Sequence, residues 1–114
     1  MMTDNLFLKI INRQIKADIV YEDDQCLAFN DINKQAPVHI LIIPKKVIPT
    51  HDELVEEDAA VVGHMHLVAV KLAKQLGLVG GYRLVINCRE DGGQTVPHLH
   101  MHLLGGRNLH WPPG

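Results

Sequence analysis

The alternation of apolar and polar residues is most regular in residues 94–106, near the C-terminus. A period of two over this run predicts a strand with one apolar face and one face of imidazoles. The two faces hold Leu99, Met101 and Leu103 on one side and His98, His100 and His102 on the other. A covered imidazole must be hydrogen-bonded, charged or ligated, and clustered titratable groups concentrate at functional sites. We therefore interpret this face as the functional surface, in preference to a polar face that only meets water.

Four other runs predict strands. Ile19–Glu22 and Cys26–Asn30 are short apolar runs joined by a polar turn, which is typical of a hairpin. Val38–Pro44 is rich in β-branched residues and predicts a central strand that ends at the proline. Residues 82–88 predict a further strand, and residues 89–94 a loop that leads into the histidine run.

Two segments have helical periodicity. Apolar residues recur at helical spacing in residues 5–13, with Thr3 or Asp4 as the candidate N-cap. Residues 55–76 predict a long helix, which follows a capping-box sequence at residues 50–53. Its apolar stripe comprises Val62, Met65, Ala69, Leu72 and Leu76, widened by Val61 and Val68.

The long helix is predicted to end at Gly77. His64 and His66 lie two positions apart on it, so they point to nearly opposite sides and cannot share a metal ion. We interpret both as packing or surface residues. The apolar face is broad for one helix on a small sheet, which favours a dimer contact.

These elements predict one α+β domain over residues 1–114, with a largely antiparallel five-stranded sheet and two helices. The tail, residues 107–114, carries the only tryptophan, Trp111, between a histidine and two prolines. A stiff aromatic tip of this kind is usually docked on another surface.

Composition narrows the class of protein. A hydrophobic content of 46% excludes a disordered chain, and a formal net charge of -2 argues against a basic nucleic-acid surface. The two cysteines, Cys26 and Cys88, have no paired spacing and indicate neither a disulfide framework nor a zinc knuckle. We expect no export signal and no membrane segment, and therefore a cytoplasmic protein.

Histidines spaced by two on a strand suit two chemistries. In a metal site they supply two ligands, but no Asp, Glu or Cys lies between Thr95 and the C-terminus, so further ligands would come from distant positions such as His39. Alternatively, a neutral imidazole attacks phosphorus. Backbone N–H groups at Gly92 and Gly93, with Thr95 and Asn87, would then bind phosphate oxygens or the leaving group. A phosphorus centre with about one negative charge needs no magnesium ion for this reaction.

The histidine run resembles a known family. His98-Leu99-His100-Met101-His102-Leu103-Leu104 is similar to the His-φ-His-φ-His-φ-φ signature of the histidine triad superfamily. Residues 21–29, 36–39, 43–46, 81–83, 91–94 and 110–114 resemble the branch called histidine triad nucleotide-binding proteins. The tail favours this branch over the dinucleoside polyphosphate hydrolases. His102 separates the chain from the related uridylyltransferases, which carry glutamine there.

This resemblance implies a histidine triad fold in a homodimer, with the sheet extended across the two subunits. It also implies a purine nucleoside phosphoramidase that releases AMP, or less readily GMP, from P–N conjugates without a metal ion or other cofactor. The implied nucleophile is His100, which forms a nucleotidyl-histidine intermediate, with His102 near the phosphate. His98 and His39 would support the imidazole network, and Thr95 would assist at the phosphate.

The family pattern also implies a nucleotide site. The matching positions are Asn87, Gly93 and Thr95 at the phosphate, Asp31 at the ribose, Phe7, Ile10, Ile15, Phe29 and Ile32 at the base, and Trp111 at the neighbouring subunit's site. Thr95 stands where serine is frequent and Pro97 where an aromatic residue is frequent. Threonine keeps the hydroxyl, so we expect activity, whereas Pro97 removes a backbone donor before the triad.

Two other functions remain open from the sequence. One is a metal-dependent hydrolase of the His-x-His type. The other is a nucleotide-binding dimer that acts through protein interaction, which the broad helix face and the tail would serve. Neither includes a nucleic acid or a membrane as partner.

Overall fold

One antiparallel sheet organises the chain, which a computed structural model describes over residues 4–114. Its strands are β1 (Ile19–Glu22), β2 (Cys26–Asn30), β3 (Val38–Pro44), β4 (Tyr82–Val85) and β5 (Met101–Gly105), in the spatial order β1-β2-β3-β5-β4. The helices are α1 (Leu6–Ile11), α2 (Ala59–Gln75) and the single turn α3 (Arg89–Gly92), with 3-10 turns at His51–Glu53 and Glu56–Asp58. The predicted α+β class and five-stranded sheet are confirmed, and the first three strands have the predicted bounds.

The two faces of the sheet bury different clusters. Helix α2 covers one face, where Met65 and Leu72 pack with Ile40 and Ile42 of β3 and with Met101 of β5. Helix α1 belongs to the second cluster, on the other face, which comprises Phe7, Ile10, Leu27, Phe29, Leu41, Ile43 and Val96. Neighbouring residues along β3 and β5 therefore belong to different layers of the molecule.

Helix α1 is shorter than predicted and has a different N-cap. Its N-cap is Asn5, whose side chain accepts a hydrogen bond from the Leu8 amide at 2.9 Å, rather than Asp4. Thr3, the other candidate, lies outside the described residues. The helix ends at Ile11, since Arg13 has a φ of 61° and cannot continue it.

Helix α2 begins four residues later than predicted. The capping box expected at residues 50–53 is wrong, because the Thr50 hydroxyl bonds to the Asp52 carboxylate and caps no helix. The Asp58 carboxylate instead accepts a hydrogen bond from the Val55 amide at 3.1 Å. The predicted end is confirmed, with Gly77 at a φ of 69°. Leu76 is 48% exposed and does not belong to the buried stripe, because it lies past the last turn.

The turn between β1 and β2 is tied to α2 by Asp23. Its carboxylate accepts hydrogen bonds from the Tyr21 hydroxyl at 2.7 Å and from His64 Nε2 at 2.6 Å. It also accepts the amides of Gln25 at 2.8 Å and Cys26 at 2.9 Å. His64 is thus a packing residue, as expected.

The last strand is shorter than predicted. Residues 94–100 form a bend instead, because Pro97 has no N–H and the Leu99 amide donates to the Ile48 carbonyl at 2.6 Å rather than to a strand. Strand β4 likewise ends at Val85, and the predicted loop at residues 89–94 contains α3. Among residues 4–114, no helix is long and apolar enough to span a membrane.

Candidate active site

Four histidines meet on the α1 face of the sheet. His39 comes from β3, His102 from β5, and His98 and His100 from the bend before β5. The ring centroids of His39 and His102 are 5.1 Å apart, and those of His100 and His102 are also 5.1 Å apart. The alternation of the run places all three of its histidines on this face, although only His102 is in a strand.

The hydrogen bond at Nδ1 of His100 fixes the state of its ring. This nitrogen lies 2.7 Å from the carbonyl oxygen of His98, which can only accept, so Nδ1 carries the hydrogen. The lone pair of a neutral His100 is therefore on Nε2. Burial lowers the pKa of His100 below its ordinary value, against the bond to the His98 carbonyl and the charge of Asp31. A neutral imidazole with a free Nε2 is a nucleophile.

His102 presents a buried donor. The Gln35 amide donates to Nδ1 of His39 at 3.1 Å, so the hydrogen of His39 is on Nε2 and points to Nδ1 of His102, 2.9 Å away. His102 Nε2 must then carry the hydrogen of a neutral ring. This atom is buried and has no hydrogen-bond partner among residues 4–114. Burial, then the neighbouring imidazoles of His100 and His39, lower the pKa of His102 to about 4.

An unpaired buried donor costs about 1 to 3 kcal/mol of stability, so such groups call for an explanation. The Nε2–H group of His102 is suited to an oxygen of a bound anion, because it would regain a hydrogen bond there.

Both ring nitrogens of His98 are hydrogen-bonded. Its Nε2 lies 2.7 Å from the Pro44 carbonyl and its Nδ1 lies 3.1 Å from the side-chain amide of Asn5. The residue is 0% exposed. His98 therefore cannot offer a nitrogen to a ligand without breaking a bond, and what it supplies to the site is its backbone carbonyl.

Within residues 4–114, two groups of side chains have the spacing of metal ligands. Asp31, His39 and His102 bring one donor atom each within 4.8 Å of one another, with Asp31 Oδ2 at 3.4 Å from His39 Nε2. Asp23, Cys26 and His64 form the second group, on the α2 face of the sheet. The first group contains only one member of the triad, and a His-x-His site with His98 as a ligand would require one of its two hydrogen bonds to break.

The predicted phosphate loop surrounds α3. Gly93 has a φ of 85°, and a Cβ atom there would lie 3.9 Å from the side-chain nitrogen of Asn87, so these two residues are neighbours. Thr95 is exposed at the end of the loop. Buried Gln94 holds the loop together, because its Oε1 accepts the Arg89 amide at 2.9 Å while its Nε2 donates to the carbonyls of residues 49 and 96 at 2.7 and 2.8 Å.

The residues assigned to the base pocket separate into two groups. Phe7, Ile10 and Phe29 are buried in the α1-side cluster, with the rings of Phe7 and Phe29 5.6 Å apart. Phe7 also lies edge-on to His100 at 4.9 Å. Ile15 and Ile32 lie outside this cluster, 39% and 103% exposed.

The tail is held by Arg83 of β4. Its guanidinium donates to the carbonyls of Leu109, at 3.3 Å, and His110, and it lies 5.8 Å from the centroid of the Trp111 ring. Trp111 remains 79% exposed. Its predicted docking against a second subunit stays a prediction.

The sequence predicted no individual role in the site for Asn5 or Gln94. An asparagine directly before the first apolar residue of a helix is an N-cap signal that would have indicated Asn5. Gln94 was visible only as part of a family motif, since its three backbone partners are far apart along the chain.

Comparison with known proteins identifies the family. A model of the HIT domain matches residues 12–109. The chain belongs to the HIT family. This membership confirms the resemblance to the histidine triad superfamily.

This HIT protein is similar to other HIT proteins in sequence and in structure. An uncharacterised HIT-like protein of Synechococcus elongatus is 59% identical over 114 residues, which is 100% of both chains. The crystal structure of a HIT family hydrolase from Legionella pneumophila Philadelphia 1 is 49% identical, with a TM-score of 0.95, over 97% of this chain and 100% of that one. A histidine triad nucleotide-binding protein from Candida albicans is 28% identical, with a TM-score of 0.81, over 96% of this chain and 83% of its own.

Proposed function

We propose that this HIT protein is a hydrolase, specifically a purine nucleoside phosphoramidase that cleaves the P–N bond of AMP or GMP conjugates. The observation that carries the proposal is the tautomer of His100, which leaves Nε2 free beside the unpaired Nε2–H group of His102. The related Legionella hydrolase and the Candida nucleotide-binding protein support a nucleotide substrate and a hydrolytic reaction.

The reaction has two steps. The Nε2 lone pair of His100 forms a bond to phosphorus while the P–N bond breaks, and the departing amine takes up a proton, for which the Thr95 hydroxyl is the candidate donor. Water then attacks phosphorus, the bond to His100 breaks, and the proton lost by water restores the donor. The Nε2–H group of His102 stabilises the negative charge on a phosphoryl oxygen in both steps.

The remaining contacts follow the family pattern. Asn87 and Gly93 bind phosphate oxygens, and Asp31 accepts a hydrogen bond from the ribose. Phe7, Ile10 and Phe29 form the wall of the base pocket, and the exposed Ile15 and Ile32 match the remaining apolar positions of that pocket in the family pattern. We further propose a cytoplasmic location, which the two free cysteines suit.

The test is the variant His100→Ala with adenosine 5′-phosphoramidate as substrate. We expect turnover to be abolished, and rapid quenching of the wild-type reaction to trap an AMP-sized mass addition on His100. His51→Ala is the matched control, because His51 is exposed, lies outside the site and outside the apolar surface of α2, and should keep wild-type turnover. Wild-type turnover in His100→Ala contradicts the proposal.

The grouping of Asp31, His39 and His102 favours a metal-dependent hydrolase as the second candidate. Elemental analysis and exhaustive chelation decide between the two. A stoichiometric metal, together with loss of activity on chelation and recovery on adding it back, would replace the phosphoramidase mechanism with a metal-assisted one.

We also propose a homodimer. Strand β4 is an edge strand that pairs only with β5 in the described sheet, and Leu67 and Val70 leave apolar surface exposed on α2. In this dimer Trp111 reaches the partner's site. Deleting residues 109–114 should change the preference among leaving groups more than the affinity for AMP, whereas an equal loss for every substrate contradicts a shared site. A dimer with no turnover would favour a role through protein interaction alone.

A further inference from the structure

Asn5 contacts both α1 and the triad. Its Oδ1 atom accepts the hydrogen bond of the Leu8 amide at 2.9 Å, which fixes the orientation of the side-chain amide. The atom that faces Nδ1 of His98 at 3.1 Å is therefore Nδ2, a donor. The cap of α1 and a hydrogen bond to the first histidine of the triad come from one side chain.

The opposite side of the His98 ring requires the same tautomer. The Pro44 carbonyl, 2.7 Å from Nε2, can only accept, so Nε2 carries the hydrogen and a neutral ring presents a bare Nδ1. The amide of Asn5 donates to that nitrogen. Two partners from different elements thus hold a fully buried ring neutral and in one orientation.

The orientation of His98 matters because its backbone carbonyl holds His100. That carbonyl accepts Nδ1–H of His100 at 2.7 Å and lies in the bend before β5, where no strand pairing holds the backbone. The amide of the same peptide unit, Leu99 N–H, donates to the Ile48 carbonyl at 2.6 Å, and one such bond leaves the peptide free to tilt about it unless the His98 ring is anchored as well. We propose that Asn5 is a positioning residue of the active site, which anchors the His98 ring so that the His98 carbonyl keeps Nε2 of His100 aimed at the substrate. This inference rests on the proposed function of His100.

The surroundings of His98 also favour its neutral form. Burial is the main cause that lowers the pKa of His98, with the amide of Asn5 and the ring of Phe7, 6.3 Å away, on the α1 side, whereas the hydrogen bond to the Pro44 carbonyl of β3 raises it. The titratable neighbour is His100, which lowers the pKa of His98 further, after burial. A carboxylate in place of the Asn5 amide would instead accept from Nδ1 and favour a protonated ring.

Two substitutions separate the cap from the contact with the ring. Serine and aspartate are both good N-caps, so Asn5→Ser and Asn5→Asp should keep the cap of α1. Asn5→Ser leaves the buried Nδ1 of His98 without its donor, so its urea midpoint should fall modestly, and kinetics are measured without urea, where every variant is folded. Asn5→Ser lacks the amide that reaches His98, and Asn5→Asp replaces the donor with an acceptor. Asn12→Ser is the matched control, because Asn12 is exposed at the other end of α1.

The measurements are ¹⁵N NMR of the histidine rings without substrate, and kcat and KM with adenosine 5′-phosphoramidate. In the wild type and Asn12→Ser we expect His98 to have a bare Nδ1 and a protonated Nε2. In Asn5→Asp we expect both nitrogens to be protonated at neutral pH. We expect kcat to fall about tenfold in Asn5→Ser with KM unchanged, since a small displacement of a reacting group costs one to two orders of magnitude.

The outcomes separate this inference from the proposed function. The opposite His98 tautomer in the wild type, or a wild-type kcat in Asn5→Ser while His100→Ala is inactive, overturns the role of Asn5 alone. Full activity in His100→Ala overturns the proposed function whatever the Asn5 variants do. A rise in KM as large as the fall in kcat would show a general structural role and also overturns the inference.

Discussion

Burying four neutral histidines should make the protein sensitive to mild acid. Burial is the main cause that lowers the pKa of His39, His98, His100 and His102 below the ordinary value. In the unfolded chain these rings titrate at about 6.5. Between that value and each lower folded pKa, only the unfolded state binds the proton, so the free energy of unfolding falls as the pH falls.

The size of the effect can be worked out for His102. With a pKa of about 4 in the folded state, lowering the pH from 8 to 5 should remove about 2 kcal/mol of stability through this ring alone. A domain of this kind has only about 5 to 15 kcal/mol in total. The other three rings add to the loss.

The assay is urea unfolding at pH 8 and pH 5, at one protein concentration, for the wild type, His102→Gln and His66→Gln. In His102→Gln the amide oxygen of the introduced side chain can still accept the hydrogen bond from His39, while the titrating group is removed. We expect the loss between the two pH values to be about 2 kcal/mol smaller in His102→Gln than in the wild type. His66→Gln, which replaces an exposed ring, should match the wild type. An equal pH dependence in all three proteins would refute the reasoning.

Three further predictions concern the parts that hold the site in place. Asp23→Asn should lower the free energy of unfolding at pH 7 by about 3 kcal/mol, because it weakens the four hydrogen bonds that the Asp23 carboxylate accepts. Asp24→Asn on the same turn should have little effect in the same urea titration. Gln94→Glu should lower kcat/KM about tenfold, since a carboxylate cannot donate to the two backbone carbonyls that fix the loop at residues 89–94. The buried carboxylate should also lower the melting temperature, so steady-state kinetics at a temperature well below both melting points checks this. Gly105→Ala would place a Cβ 2.7 Å from Leu78 Cδ1 and should cost about 1 to 3 kcal/mol. Adding Leu78→Ala should make the two costs less than additive, and additive costs would contradict the clash.

The strands show which signals in the sequence are sufficient. Val38–Pro44 was predicted to the residue, because a β-branched run next to a proline determines both the strand and its end. The last strand was predicted too long, since alternation reports the direction of side chains and not backbone pairing. Leu99 alternates correctly, yet its amide bonds to Ile48, a partner that no local pattern specifies. Residues 50–53 show the same limit, because Thr50 bonds to a neighbouring carboxylate instead of capping a helix.

The histidines of the site could be named from the sequence, but their separate states could not. The motif gives three equivalent rings on one face. In the structure both ring nitrogens of His98 are hydrogen-bonded, His100 has a free lone pair on Nε2, and His102 has an unpaired Nε2–H group. These states follow from the positions of backbone groups of Pro44, His98 and Gln35. The hydrogen bond between His98 and Pro44 joins residues 54 positions apart, and the one between His39 and His102 joins residues 63 positions apart. Only the folded chain specifies such contacts.

One face of the sheet carries the four histidines, and the other face packs against helix α2. Because neighbouring residues of β5 face opposite layers, inserting one residue ahead of Met101 would turn His102 toward α2 and Met101 toward the α1 face, away from their present neighbours. Insertions or deletions of odd length in this segment are therefore incompatible with the enzyme. We expect natural length variation in this family to be confined to the chain termini and to loops remote from this strand.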